Sequence, residues 1–370
     1  MENKTIPTEA PPATRGLQLS GEITELLEMV VKNNASDLHL AAGIPPTLRI
    51  DGRLVPIEGK TVLTSEQSQR LILSFMSGEQ RERLTQKKEI DFSFGYAGKM
   101  RFRVNAFYER NALAAALRSI PSKIKTMEDL NLPPVLEKFA LAAQGFVIIT
   151  GPTGHGKSTT LAAIIDHISR SRAEHIVTIE DPIEYIFSNN KSIIQQREVY
   201  SDTLSFARSL RSALREDPNV VLIGEMRDLE TIEAGLTIAE TGHLVFTTLH
   251  TNNAAETADR IIDVFPPHQQ QQVRSQLANV LLGVVSQRLI PRVGGGRIPA
   301  IEIMLANSAV RNTIREGKTH QLPNIIQTSI SEGMINLDKV LADLVSKGEI
   351  TVDDALTWAI DPKTLKMNVY

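Results

Sequence analysis

The feature that most constrains the fold is a glycine-rich segment near the middle of the chain, which reads Gly-Pro-Thr-Gly-His-Gly-Lys-Ser-Thr from Gly151 to Thr159. It matches the pattern G-x-x-x-x-G-K-[S/T] at every fixed position. One apolar run, at 146–149, precedes it and another, at 161–165, follows it. This order predicts a buried strand, a phosphate-binding loop and a helix. A turn that matches by chance is the alternative, and the flanking strand and helix argue against it.

Two side chains within this segment have a defined chemistry. The ammonium group of Lys157 is expected to reach the β and γ phosphates, and the hydroxyl of Ser158 is expected to hold Mg²⁺. The other residues of the segment are expected to surround the phosphates, and they are Gly151, Thr153, Gly154, His155, Gly156 and Thr159. The chain is therefore predicted to bind a nucleoside triphosphate.

Composition narrows the classes of protein that remain. With 370 residues, of which 42% are hydrophobic, the chain is long enough for two or three domains that each bury a core. A net charge of −3 and an aromatic content of 5% argue against a nucleic-acid-binding protein, because neither a basic surface nor base-stacking platforms are expected. The absence of cysteine excludes disulfides, iron–sulfur clusters and thiolate zinc sites, and it is compatible with a reducing compartment.

The sequence also carries expectations about targeting. Residues 1–20 are polar, rich in proline and without the apolar core of a signal peptide, so they are predicted to form a disordered tail. No run approaches the roughly 18 apolar residues that a membrane span requires. We therefore expect a soluble, cytoplasmic protein.

Residues 121–134 form a proline-bounded connector, and the sequence pattern differs on its two sides. Before the connector, alternating strands and a hairpin turn at Asp51-Gly52 predict a small α+β domain over residues 21–120. The first helix of that domain is expected to bury one apolar face, formed by Ile23, Leu26, Leu27, Val30 and Val31.

After the connector, strands alternate with helices, which is typical of a parallel sheet covered on both faces. The pattern predicts an α/β domain over residues 135–305, with a hairpin around Val293–Gly296, and then a helical region over residues 306–370. In that region Trp358 is interpreted as a core residue rather than a binding residue. The expected parallel strands lie at 146–149, 175–179, 220–223 and 244–249. Ligands of such sheets bind at the carboxyl ends of the strands.

Carboxylates follow two of these strands. Glu180 and Glu184 come after the strand at 175–179, and Glu225 comes after the strand at 220–223. A triphosphate site needs such groups to hold Mg²⁺ and to orient the attacking water. Glu225 is the best candidate for the water, and Glu180 or Glu184 would share the metal with it. Acids that cap helices are the alternative interpretation.

Histidines and arginines supply further candidates. His243 and His250 bracket the strand at 244–249 and lack the third ligand that a zinc site needs, so they are interpreted either as structural residues or as sensors of the γ-phosphate. Arg101 and Arg103 alternate with apolar residues, which is typical of a half-exposed strand with solvated arginines. The sharper hypothesis is that these arginines face the nucleotide of a neighbouring subunit.

Four motifs, taken in order, resemble those of the secretion ATPase superfamily. They correspond to its Walker A, aspartate, Walker B and histidine boxes, at 151–159, 179–184, 214–228 and 239–246. The chain is most similar to the retraction ATPases of type IV pili. The segment Ala309–Glu316 resembles the AIRNLIRE motif of that family and departs from it at Val310 and Thr313. The related extension and type II secretion ATPases usually carry a four-cysteine zinc module, which this chain lacks.

The resemblance implies a PAS-like N-terminal domain, a RecA-like P-loop ATPase domain and a homohexamer that hydrolyses ATP with Mg²⁺. It implies that Glu225 is the catalytic glutamate, that Glu184 is an aspartate-box acid and that the two histidines form the histidine box. His155 stands where the family usually has Ser. The resemblance also implies a peripheral position at the inner membrane, through a pilus platform protein. The resemblance further implies that an arginine supplies positive charge to the nucleotide. The candidates are Arg101, Arg103, Arg110 and Arg118.

Other functions remain open at this point. An accessory paralogue of the PilU type would share the four boxes, and it would need a principal motor as its partner. An extension or type II secretion motor would share the ATPase core. A nucleic-acid translocase is the rival from a different class, and the negative net charge and scarce aromatic residues argue against it.

Overall fold

The computed structural model describes residues 21–50, 52–96, 100–121 and 123–369. The predicted tail at 1–20 lies outside the described residues. The described chain divides into two compact units. The N-terminal unit runs up to Ile124 and includes the segment Asp181–Ser188, whereas the C-terminal unit comprises Lys125–Glu180 and the chain from Asn189 onward. The sequence pattern predicts that Asp181–Ser188 belongs to the ATPase domain, whereas the structure groups this segment with the N-terminal unit.

The N-terminal unit is a six-stranded antiparallel sheet covered by helices, with strand order β3-β2-β1-β6-β5-β4. Its elements are α1 (Gly21–Lys32), β1 (Asp37–Leu40), β2 (Thr47–Ile50), β3 (Arg53–Pro56), α2 (Ser65–Ser74), α3 (Gly78–Lys87), β4 (Glu89–Tyr96), β5 (Met100–Glu109) and β6 (Ala112–Pro121). Buried and more exposed side chains alternate along the strands, as the sequence predicted. On β5, for example, Phe102 and Val104 are buried while Arg101 and Arg103 are not.

Two details of this unit bear on the sequence predictions. Ile50 pairs with Arg53, which confirms the two-residue hairpin, although Asp51 itself lies outside the described residues. Helix α1 buries Ile23, Leu26, Leu27 and Val30 as expected. Val31, however, is exposed. The prediction for Val31 was wrong because eight residues advance a helix about 80° beyond two full turns, which turns that side chain off the buried face.

The C-terminal unit is built on a seven-stranded sheet with order β13-β12-β7-β11-β10-β8-β9. Its strands are β7 (Gly145–Thr150), β8 (His175–Glu180), β9 (Ile193–Glu198), β10 (Val220–Ile223), β11 (Leu244–Leu249), β12 (Leu281–Pro291) and β13 (Arg297–Leu305). Its helices are α4 (Leu136–Leu141), α5 (Lys157–Ser171), α6 (Phe206–Ala213), α7 (Leu229–Glu240), α8 (Ala254–Asp263), α9 (Pro267–Val280), α10 (Ser308–Arg315), α11 (Leu322–Thr328), α12 (Leu337–Ser346), α13 (Val352–Trp358) and α14 (Pro362–Val369).

All neighbouring strands of this sheet from β12 to β9 pair in parallel, and only the β12–β13 hairpin is antiparallel. Strands β7, β10 and β11 are buried along their whole length, as expected of a parallel sheet covered on both faces. The carboxyl ends of β7, β8, β10 and β11 therefore meet at one edge. We call this the catalytic edge.

The last helices form a second, smaller core with the ends of β12 and β13. Asp338 of α12 is buried, and its carboxylate accepts hydrogen bonds from the backbone N–H groups of Ile360 (2.7 Å) and Asp361 (2.9 Å). These bonds tie the link between α13 and α14 to α12. Among the helices in the described part of the chain, none is long and apolar enough to cross a membrane.

A buried carboxyl on β13 leads to a prediction about pH. Glu302 is 3% exposed and accepts a hydrogen bond from the N–H of Ala254 at 2.9 Å. Burial raises the pKa of Glu302 from 4.5 to about 7, although that bond and Arg288 act in the opposite direction. The folded protein holds the proton of Glu302 more tightly than the unfolded chain does. This preference contributes to the unfolding free energy in full below pH 4.5, and the contribution is lost as the pH rises through 7.

Glu302→Gln removes the titration and keeps the acceptor. Between pH 4.5 and 8, the unfolding free energy of the unmodified protein should therefore fall by about 3 kcal/mol more than that of Glu302→Gln. Urea denaturation at several pH values measures this difference. Parallel curves for the two proteins would contradict it.

Candidate nucleotide-binding site

The predicted phosphate loop connects β7 to α5 at the catalytic edge. Strand β7 ends at Thr150, and α5 begins at Lys157 directly after Gly156. Gly156 has a φ of +80° at the N-cap position, a left-handed conformation that other residues adopt at a cost. The loop therefore opens onto the N-terminus of a 15-residue helix, where free N–H groups and the helix dipole favour an anion.

Lys157 lies buried inside the curve of the loop. Its Nζ donates to the carbonyl oxygens of Gly151 (2.8 Å) and Pro152 (2.9 Å). The ammonium group is thus held where phosphate oxygens would replace these carbonyls. Ser158, Thr153 and Gly154 are exposed and Thr159 is half-buried, so the loop and the first turn of α5 face an open space.

Both predicted strand-end acids of the C-terminal unit lie at the catalytic edge. Glu180 is the last residue of β8 and accepts a hydrogen bond from the hydroxyl of Thr178 at 2.7 Å. Glu225 follows β10, whose Ile223 pairs with Ile179 of β8. One oxygen of Glu225 lies 2.8 Å from Nη2 of Arg227, and the other lies 3.4 Å from Nε2 of His250. The structure thus brings Glu225 and His250 together.

His243 does not belong to this group. It precedes β11, whose first residue pairs with Gly145 at the start of β7, so His243 lies at the edge of the sheet opposite the phosphate loop. Its Nδ1 contacts the carbonyl oxygen of Ile238 at 2.9 Å. His243 and His250 therefore do not lie side by side in this chain, because seven residues of extended strand separate the two histidines by roughly 23 Å.

This difference predicts unequal effects of two matched substitutions. His250→Ala should lower kcat for ATP hydrolysis roughly tenfold, since it removes the group beside Glu225. His243→Ala should leave kcat within about threefold and lower the unfolding free energy by about 1 kcal/mol, the typical contribution of its lost hydrogen bond. Steady-state kinetics and urea denaturation on both variants measure the two effects. Equal losses of kcat would contradict the arrangement.

The arginines predicted to supply charge lie in the N-terminal unit. Arg103 of β5 pairs in register with Arg118 of β6, so two of them lie on neighbouring strands. Arg103 forms an ion pair with Glu184 at 3.1 Å, and Nε of Arg101 donates to the carbonyl oxygen of Ile183 at 3.0 Å. Both contacts hold the segment Asp181–Ser188, and Glu184 thereby already has a cationic partner.

The remaining two arginines of the set differ in position. Arg118 donates to Asp37 at 3.1 Å on the neighbouring strand β1. Arg110 lies in the turn between β5 and β6, with a side chain that is 93% exposed. About nine strand residues, or roughly 30 Å, separate Arg110 from Arg101. The structure therefore groups Arg101, Arg103 and Arg118 and leaves Arg110 apart.

The predicted metal ligands are oxygen donors from three places. Ser158 is the second residue of α5, and Glu180 and Glu225 lie at the catalytic edge. Within the described ranges, no three His, Cys, Asp or Glu side chains form a group that could hold a metal alone. This donor set fits Mg²⁺, which keeps several waters and binds through one or two carboxylates together with substrate phosphates.

Sequence reasoning missed the residues that contact the phosphate loop from other parts of the chain, which are Gln287, Leu289, Arg297 and Trp358. Gln287 lies in a buried polar run, Ser286–Arg288, within the otherwise apolar strand β12, and that break in the apolar pattern was the available signal. Arg297 donates to the carbonyl oxygen of Gly154 at 3.2 Å. Trp358 was interpreted only as a core residue, yet its ring lies 4.9 Å from the ring of His155.

His155 itself is held by β12. Its Nδ1 accepts a hydrogen bond from the N–H of Leu289 at 3.0 Å, which requires an unprotonated Nδ1. Burial lowers the pKa of His155 below its ordinary value of 6.5, and the nearby cations Arg288, Arg297 and Lys157 lower it further. The imidazole is therefore neutral at pH 7, and His155 attaches the loop to the sheet.

Comparisons with known proteins show which family the chain resembles. A family model described as "Type II/IV secretion system protein" matches residues 18–348. The "Type IV pilus retractation ATPase PilT" of Pseudomonas aeruginosa is 50% identical over 92% of this chain and 99% of its own length. The "Type IV pilus ATPase PilU" of the same organism is 41% identical over 94% of this chain and 91% of its own length.

A solved structure agrees with the sequence matches. The "Crystal Structure of the Pilus Retraction Motor PilT and Bound ADP" superposes with a TM-score of 0.86 at 47% identity, and the match covers 93% of this chain and 99% of that one. The fold and enzyme classes predicted from the sequence, a mixed α/β P-loop ATPase, are thereby confirmed. The chain belongs to the type II/IV secretion system protein family.

Proposed function

We propose that this chain is an ATP-hydrolysing motor that powers the retraction of type IV pili and hence twitching motility. The observation that carries the proposal is end-to-end similarity to the PilT retraction ATPase, at 50% identity over 99% of that relative. PilU is also similar along its length, but at 41% identity. The loop, the strand-end acids and His250 supply the groups that such a reaction needs.

In the proposed site, Lys157 exchanges the carbonyls of Gly151 and Pro152 for β- and γ-phosphate oxygens. Ser158, Glu180 and Glu225 would hold Mg²⁺, which supplies charge neutralisation for the phosphates when it is bound. Glu225 orients and deprotonates the attacking water, and His250, 3.4 Å from that carboxylate, positions Glu225. Backbone N–H groups of the loop and of α5 stabilise the negative charge of the transferring phosphoryl group.

We further propose that the chain acts as a homohexamer, peripheral to the inner membrane and bound there to the pilus platform protein. In such a ring, arginines of the N-terminal unit would reach a nucleotide bound by the C-terminal unit of the same or a neighbouring subunit. Changes in the angle between the two units, driven by ATP binding and hydrolysis, would turn the platform and return pilin to the membrane. A PilU-like paralogue would assist the principal motor.

Deleting the gene tests the assignment of direction. If the chain is the principal retraction motor, the deletion strain should carry excess surface pili and lose twitching motility, because fibres still extend but cannot return. Electron microscopy of surface pili and a stab-plate motility assay measure the two properties. Cells without pili would instead identify an extension motor. Normal piliation with little loss of motility would identify an accessory motor of the PilU type.

A further inference from the structure

Strand β12 extends beyond β7 and runs alongside the phosphate loop. The last pair between the two strands is Ser286 with Thr150, after which β7 ends and β12 continues to Pro291. The first residue of this extension is Gln287, which is only 2% exposed. A polar side chain buried this deeply needs partners for both ends of its amide group, and Gln287 finds both of them on the phosphate loop and its helix.

The amide group of Gln287 brackets the functional part of the loop. Its Nε2 donates to the carbonyl oxygen of His155 at 2.8 Å, and its Oε1 accepts from the hydroxyl of Thr160 at 2.7 Å. Since a carbonyl can only accept, the first bond fixes the orientation of the amide and makes the Thr160 hydroxyl a donor. The residues between the two attachment points include Lys157 and Ser158.

The two outer glycines of the loop are also explained by Gln287. A Cβ added at Gly151 would lie 2.3 Å from the backbone oxygen of Gln287, and one added at Gly156 would lie 2.9 Å from its Nε2. Both distances are shorter than real Cβ contacts. At Gly151 the Cβ would meet backbone, which cannot give way, and at Gly156 it would displace the side-chain amide of Gln287, so both glycines fit the close packing of the loop on β12 as well as their positive φ angles.

Nothing in this arrangement requires Gln287 to touch the nucleotide. Its contacts reach the loop from the side of β12, where Leu289 also holds the ring of His155. Lys157 points into the curve of the loop, toward the carbonyls of Gly151 and Pro152. The position of Lys157 and the first N–H groups of α5 thus depends on a side chain outside the glycine-rich motif.

We propose that Gln287 is a positioning residue of the nucleotide site, which holds the phosphate loop in the shape that binds phosphate through its bonds to His155 and Thr160. This inference rests on the proposed ATPase function. It distinguishes Gln287 from an ordinary core residue, whose replacement would lower stability without changing the affinity of the folded protein for nucleotide.

The test compares three variants with the unmodified chain. Gln287→Met keeps the size of the side chain and removes both bonds, whereas Thr160→Val removes only one and Thr160→Ser keeps the hydroxyl. Gln287→Met should raise KM for MgATP and Kd for MgADP about tenfold, with kcat changed less than threefold, because a poorly ordered loop must be organised at the moment of binding. Thr160→Val should raise both constants by a smaller factor, and Thr160→Ser should restore them.

A double variant separates this bond from general packing. In the Thr160→Val background, Gln287→Met should cause a smaller further loss of affinity than in the unmodified chain, since one shared bond is already absent. Ser286→Ala is the matched control, because it removes a part-buried hydrogen bond to the carbonyl oxygen of Asn252 (3.0 Å) from the preceding residue of the same strand. It should lower stability and leave KM unchanged.

The chain also contains a built-in reporter of the loop. Trp358 is its only tryptophan, and its ring lies 4.9 Å from that of His155. Without nucleotide, Gln287→Met should change the tryptophan emission, and Ser286→Ala should not. Normal KM and Kd in a folded but less stable Gln287→Met protein would overturn the inference. If that variant does not fold, equal KM values for Thr160→Val and Thr160→Ser would overturn it. Failure of the unmodified chain to bind MgADP would instead refute the proposed function.

Discussion

Replacing Glu225 with Gln is expected to lower kcat for ATP hydrolysis by about 10²–10⁴-fold and to leave the affinity for MgATP close to that of the unmodified chain. Glutamine has the size of glutamate, so the contacts with Arg227 and His250 on either side can persist. It has neither the charge nor the basicity to take a proton from water. Phosphate release measures kcat, and equilibrium titration with a fluorescent ATP analogue measures affinity.

The other two acids of the site serve as matched comparisons. Glu180→Gln and Glu184→Gln change the same functional group at positions whose carboxylates contact Thr178 and Arg103 respectively, and neither contacts His250 as Glu225 does. We expect both to reduce kcat far less than Glu225→Gln does. Normal turnover in Glu225→Gln, with a large loss in one of the other two, would move the role of general base to that residue.

Mixing two inactive variants is expected to restore ATP hydrolysis if arginines act between subunits. An arginine supplied to a phosphoryl-transfer site accelerates hydrolysis by roughly 10³–10⁵-fold. A variant lacking that arginine should therefore be nearly inactive, as should Lys157→Ala, which cannot hold phosphate. In a mixed ring, a subunit with intact Lys157 can receive an arginine from a Lys157→Ala neighbour. In an equal mixture this should restore roughly a quarter of the sites.

The structure selects the arginines for this experiment. Arg101, Arg103 and Arg118 lie together, so each is replaced by Ala in turn, and Arg110 at the distant turn provides the control. We expect Arg110→Ala to remain active alone. Because Arg103 also holds Glu184, the folding of Arg103→Ala is checked by circular dichroism before mixing. An arginine variant that is inactive and stays inactive after mixing would indicate that its arginine acts within its own subunit.

Much of this fold could be predicted from local sequence patterns. The phosphate loop, the buried parallel strands and the β12–β13 hairpin each carry a strong signal within a short stretch of chain. Helix α3 and strand β9 were missed because their sequences are mostly polar. Among the residues of α3 only Leu84 is buried, and β9 lies at the edge of its sheet. The capping box formed by Ser77 and Gln80 was the one local signal for α3.

The candidate site was predicted less completely, because its geometry depends on contacts between distant parts of the sequence. His243 and His250 look equivalent in sequence, but parallel pairing of β11 with β7 puts them at opposite edges of the sheet. Gln287 and Trp358 could not be connected with the loop, since no local pattern states which strand or helix will lie beside it. The positions of Glu180 and Glu225 at the catalytic edge were predictable, because the carboxyl ends of parallel strands share an edge of the sheet.

The position of β12 also has a consequence for synthesis of the protein. Gln287 and His155, which it holds, are 132 residues apart in the sequence. At 5–20 residues per second, a ribosome needs roughly 7–26 s to make the intervening chain. Throughout that interval β7 lacks the neighbour on one side of the sheet, and its unpaired edge can bind other exposed strands. The nascent chain thus acquires its nucleotide site late, and ATP cannot stabilise it against aggregation during the period when it is most exposed.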